Sequence, residues 1–78
     1  MSLFSTLSTS RQIDILRNAQ DSLVVEMAHI LLRQGIDPAS FDEATYDPDD
    51  YPGDGDFLRL ERVISGIAVT KERLAALQ

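Results

Sequence analysis

The chain has no cysteine, no tryptophan, one histidine and no long hydrophobic run. Without cysteine there are no disulfides and no thiolate metal ligands, which leaves the redox compartment open. With His29 as the lone imidazole, a zinc site would need carboxylates for nearly every other ligand. No apolar stretch approaches the roughly 20 residues of a spanning helix, so no membrane segment is expected. The opening Met1-Ser-Leu-Phe-Ser5 has no basic segment ahead of an apolar one, so no secretory signal is expected and a cytoplasmic protein is the simplest reading. Basic residues are also scarce: seven Lys and Arg face 13 Asp and Glu, for a net charge of −6. That balance argues against direct nucleic-acid binding, since phosphates need Lys and Arg. It argues equally against adsorption to anionic membranes.

Seventy-eight residues make a single domain, 1–78, with a small core. Domains of this size add a staple: a disulfide, a metal or self-association. Cysteine and histidine usage leaves self-association as the expected one.

Apolar spacing predicts two long amphipathic helices. The first is expected over about 9–34, opened by a capping box at Thr9-Ser-Arg-Gln12. Ile13, Leu16, Leu23, Met27 and Ile30 follow at steps that keep one face apolar, with Gln20 as the interruption. Arg17 and Asp21 are spaced to pair along the opposite face. Gly35 suits a left-handed helix end, with Ile36 folding back on Leu31 as a Schellman cap requires. Residues 23–32 are apolar almost all round, broken by Glu26 and His29, which implies contact with more than one neighbouring helix. The second helix is expected over about 56–77, with Phe57, Leu60, Val63, Ile64, Ile67, Ala68, Leu74 and Leu77 on its apolar face. Gly66 costs about 1 kcal/mol against Ala in its interior, which a closely approaching helix would offset; an incidental surface glycine is the alternative. The lead Met1–Ser8 offers one further turn through Leu3, Phe4 and Leu7. The helices share amphipathicity without residue pattern, and no internal repeat is expected.

The two helices flank a long connection, 36–56. Asp37-Pro38 and Asp47-Pro48 each read as an N-cap followed by proline, predicting short turns near 38–44 and 48–51, while Pro52-Gly53 and Gly55 break anything longer. The span Asp37–Asp56 holds eight of the 13 acids and none of the seven basic residues, so it carries −8 and the rest of the chain +2. Phe41, Tyr46, Tyr51 and Phe57 are interleaved with those acids. One reading is a solvated loop whose carboxylates cap helix starts. The other is a docking surface: clustered carboxylates steer a basic partner, and aromatic rings give rigid contact area. On that reading the partner-facing set is Asp42, Glu43, Tyr46, Asp49, Asp50, Tyr51 and Asp54. Calcium is a weaker third reading, because the EF-hand pattern fails for want of a correctly placed Glu.

Catalytic chemistry is not expected. Glu26 and His29 share a helix face, but one Glu-x-x-His is half of a di-metal carboxylate site, and a polar spot at an interface is the plainer account. There is no phosphate-binding glycine loop, nucleophile elbow or thiol nucleophile. No metal and no cofactor is expected.

The sequence thus predicts an all-α antiparallel two-helix hairpin that dimerises into a four-helix bundle. Leu23, Met27, Ile30, Leu31, Leu60, Ile64 and Ile67 are expected at the core and the contact between copies. The function expected is that of a small non-enzymatic adaptor or regulator binding another protein with a basic surface. The alternatives are an acidic inhibitor that imitates nucleic acid, and a structural subunit of a larger assembly.

Overall fold

Two long helices, α1 (Thr9–Arg33) and α2 (Gly55–Leu77), carry the fold in a computed structural model that describes residues 2–51 and 55–78. They are antiparallel, as the pairing across them demonstrates. Arg33 at the end of α1 meets Asp56 at the start of α2, Glu26 meets Arg59, and Leu23 lies against Gly66. Toward the far end, Leu16 shares a groove with Arg73 and Leu77. Residue numbers rise on one helix as they fall on the other. The described residues extend over 41 × 23 × 19 Å, the long dimension being that of the hairpin.

The helix ends follow local chemistry. Ser8 rather than Thr9 caps α1: its hydroxyl accepts the Arg11 amide at 3.2 Å, and its own backbone is extended. Three hydroxyl residues stand in a row here, and the cap is the one whose backbone has not yet turned helical. Gln12 still reaches back, to the Leu7 carbonyl at 2.9 Å. At the other end Gly35 takes a φ of 74°, and the Ile36 amide donates to the Leu31 carbonyl at 2.9 Å. The Gly35 amide donates to Leu32, which completes the Schellman pattern. The lead forms a short 3-10 turn, Phe4–Thr6. Phe4 is half-buried there, while Leu3 remains in water.

The core is small and sits toward the loop end of the hairpin. Met27, Ile30 and Leu31 from α1 are buried with Leu60, Val63 and Ile67 from α2. Leu23 and Ile64 pack on this cluster half-buried. Thr70 is also buried, its hydroxyl satisfied by the Ile67 carbonyl at 2.8 Å. Five of the residues expected at a contact between copies (Met27, Ile30, Leu31, Leu60 and Ile67) are therefore closed off within one chain. What covers the apolar stretch 23–32 is partly the connection itself, whose Ile36, Phe41 and Tyr46 pack on the core together with Phe57. The stretch is not fully covered: Val24, Val25 and Leu32 are 42%, 53% and 61% exposed.

Gly66 is not an incidental surface glycine. A Cβ added there would lie 3.0 Å from Leu23 Cδ1, so the helices pass close at that level. The ion pairs between described residues are Arg33–Asp56, Arg59–Glu26 and Lys71–Glu43, and all three join separate segments. The expected Arg17–Asp21 pair along α1 is not among them. Glu26 turns to Arg59 at 3.1 Å instead of serving His29, which is exposed.

Candidate interaction surface

The connection does contain a repeat, contrary to the expectation from the sequence. Asp37-Pro-Ala-Ser-Phe41, Asp42-Glu-Ala-Thr-Tyr46 and Asp47-Pro-Asp-Asp-Tyr51 share one pattern: aspartate first, an aromatic ring fifth. Each forms one 3-10 turn, Pro38–Ser40, Glu43–Thr45 and Pro48–Asp50. In each the leading aspartate is the N-cap. Asp37 Oδ1 accepts the Ala39 amide, Asp42 Oδ1 the Ala44 amide and Asp47 Oδ1 the Asp49 amide, all at 3.0 Å. The aromatic closes the turn: Phe41, Tyr46 and Tyr51 donate their amides to the carbonyls of Pro38, Glu43 and Pro48. Aspartate suits the first place because its short carboxylate reaches an amide two residues on. Proline suits the second because its φ is already that of the turn and it carries no amide to satisfy. The middle turn lacks proline, and was not anticipated as a separate element.

A period of five brings the rings into one line. Phe41 and Tyr46 stand 6.2 Å apart and tilted, and Tyr46 and Tyr51 stack at 5.4 Å. Phe57 of α2 continues the row at 5.2 Å from Tyr51. These are ordinary separations for favourable aromatic pairs. The row is also the inner face of the loop, since Phe41, Tyr46 and Phe57 rest on the hydrophobic core. Burial pushes the Tyr46 phenol above its usual range, with the charges of Glu61 and Asp47 adding to the effect.

The acids thereby divide by task. Asp37, Asp42 and Asp47 hold turns. Glu43 reaches α2, accepting from Lys71 Nζ at 3.0 Å, and this bond holds its carboxyl below the usual range. Asp56 takes a two-pronged contact from Arg33, both arms at 3.1 Å, and a third bond from Gln34 at 3.0 Å. Those bonds keep its carboxyl low and push the Arg33 guanidinium up. Its place in the first turn of α2 also matches the helix dipole. Asp49 and Asp50 are exposed, and their side chains take no hydrogen bond from any described residue. Asp54 lies outside the described residues.

Of the seven residues expected to face a partner, Asp42, Glu43 and Tyr46 thus have structural duties as well. Tyr51 is half-buried in the ring row, and Asp49 and Asp50 are exposed. Lys71, Arg33 and Gln34, which tether the loop and its exit, were not anticipated. Their partners are more than 20 positions away in the chain, and only the fold sets that register.

Between the turns lies a cleft of about 290 Å³, open to water. Phe41, Tyr46 and Tyr51 wall it, with Ile36 behind them, and Asp42, Asp47 and Asp50 stand among its lining. Among the described residues, no three His, Asp or Glu side chains converge as metal ligands do. No described helix is long and apolar enough to cross a membrane. Comparisons with protein-family models, curated proteins and solved structures find no match to this chain.

Proposed function

We propose that this chain is a small non-enzymatic adaptor or regulator that binds a protein with a basic surface through its acidic loop. The observation that carries the reading is the division of labour in that loop. Three turns are capped by their own aspartates and the rings closing the first two rest on the core, while Asp49 and Asp50 are left in water. Neutralising Asp49, Asp50 and Asp54 together to Asn leaves helicity and thermal stability nearly unchanged, because exposed charges contribute little. The same variant associates more slowly with its basic partner and with a flatter salt dependence. Affinity capture from the native host, run side by side with wild type and this variant, is the test. Recovery of the same proteins in the same amounts refutes a docking role for the loop.

The chain acts as a homodimer on this reading, completing a four-helix bundle. The contact uses the uncovered side of α1, Val24, Val25 and Leu32, because the original core positions are already occupied. Sedimentation showing a monomer at micromolar concentration removes the dimer without touching the loop. The cytoplasmic location stands with this proposal.

The five-residue period favours a second reading, an inhibitor that imitates nucleic acid, since Asp37, Asp42 and Asp47 recur at equal steps on equal turns. Mimicry of phosphates weakens steeply with salt, while contact through the helices does not.

A further inference from the structure

We infer that the cleft walled by Phe41, Tyr46 and Tyr51 is a receptor for one arginine side chain of the partner. The inference rests on the proposed binding of a basic protein and names the chemistry by which that protein is held. The cleft measures about 290 Å³, which is room for a side chain and not for a folded segment. Its walls are rings, and Asp42, Asp47 and Asp50 are among its lining residues, with no basic residue. A cavity that is at once aromatic and anionic fits an organic cation better than a hydrated metal ion or an apolar side chain. Guanidinium fits better than ammonium. It is planar, it is less strongly hydrated, and its five donors match carboxylates in pairs.

The walls are built before any ligand arrives. The rings are held by stacking and by the core, and two of the three carboxylates are positioned by their capping bonds. Asp50 is the one whose side chain takes no bond from a described residue, so it is the one to meet a guanidinium most directly. Asp49, its neighbour in sequence, is equally acidic and is not part of the lining. That pair separates a cleft from a general negative field.

The experiment uses the whole chain, isotope-labelled, titrated by NMR with hexaarginine and hexalysine peptides at matched salt. The expected result is a saturating shift of amides within residues 40–51, with hexaarginine binding about fivefold tighter than hexalysine. Asp50→Asn weakens hexaarginine about threefold and Asp49→Asn weakens it less, because an exposed pair contributes modestly and distant charge less still. Circular dichroism of each variant establishes that it is folded. Equal affinity for the two peptides overturns the inference, as do equal losses in Asp49→Asn and Asp50→Asn. If either occurs while the Asp49, Asp50 and Asp54 triple variant still loses its partner in capture, the cleft is wrong and the acidic docking loop stands. If the triple variant keeps its partner, the loop reading itself has failed.

Discussion

Replacing Asp42 with alanine tests whether the acidic loop is part of the fold. Its carboxylate accepts the Ala44 amide at 3.0 Å and opens the turn Glu43–Thr45. Loss of an aspartate cap to alanine costs about 1 kcal/mol. The turn also presents Glu43 to Lys71 and sets Tyr46 on the core, so unravelling it forfeits more. The surface ion pair adds at most about 1 kcal/mol. The sum is about 1–2 kcal/mol, or roughly 5–15 °C in Tm for a domain of this length. Removing one charge from a crowded acidic loop works in the opposite direction, and Asp49→Ala measures that relief by itself. Asp49 carries the same charge, caps no described amide, and contributes its backbone amide to the third turn. Asp42→Asn keeps an oxygen acceptor, and asparagine caps about as well as aspartate, so it should lie within about 0.5 kcal/mol of wild type. Thermal melts followed at 222 nm compare the three variants. If Asp42→Ala melts with Asp49→Ala, or Asp42→Asn falls as far as Asp42→Ala, the capping bond does not hold the loop.

Ile67→Ala and Leu60→Ala should each cost about 2–5 kcal/mol in urea unfolding, as buried large-to-small changes do. Leu23→Ala should cost less, because Leu23 is half-buried. Gly66→Ala gains about 1 kcal/mol of helix propensity. It sets a Cβ 3.0 Å from the tip of Leu23, so the gain should appear in full only in the Leu23→Ala background, as a double-mutant cycle in chemical denaturation will read. Acid should weaken the fold through Asp56 and Glu43: both carboxyls are depressed in the folded state, so their contribution is complete above about pH 5 and is lost as pH falls through the depressed values. Asp56→Asn should flatten that limb of the stability–pH curve. At the other extreme, the raised Tyr46 phenol contributes below about pH 10 and the contribution is lost as pH rises past it, a limb that Tyr46→Phe removes.

The helices were legible because apolar residues at steps of three and four leave little choice, and because Gly35 with Ile36 marks one end on its own. The start of α1 was read correctly, but its cap was placed one residue off because Ser8, Thr9 and Ser10 are chemically equal as caps, and only backbone geometry selects among them. The two proline-bearing turns could be read; the Asp42 turn could not, since it lacks the proline that marked the others. The repeat went unseen because it fixes only places one and five, and the three residues between them differ from unit to unit. A search for aspartate and an aromatic at a separation of four finds it. The apolar girth of residues 23–32 was read as a demand for a second molecule. Part of that demand is met by Ile36, Phe41 and Tyr46 from the same chain, which periodicity within a helix cannot reveal.

The described part of the loop, 36–51, helps close its own core and is built of capped turns in the free chain. An acidic segment of this length left unstructured would have to fix many backbone angles on meeting a partner, and that cost is subtracted from affinity. Here the first and fifth places of each unit are occupied by folding: aspartate holds the turn and the ring holds the row. The third and fourth places of the last unit, Asp49 and Asp50, are not. Substitutions should therefore fall into two groups. Changes at Asp42 and Asp47 alter stability and binding together, and restoring the cap with asparagine restores the first without the second. Changes at Asp49 and Asp50 alter binding alone, chiefly in the association rate, as exposed charges at an interface rim do. Separation of stability from binding at these four positions is what distinguishes a preorganised acidic surface from a run of acids kept for solubility.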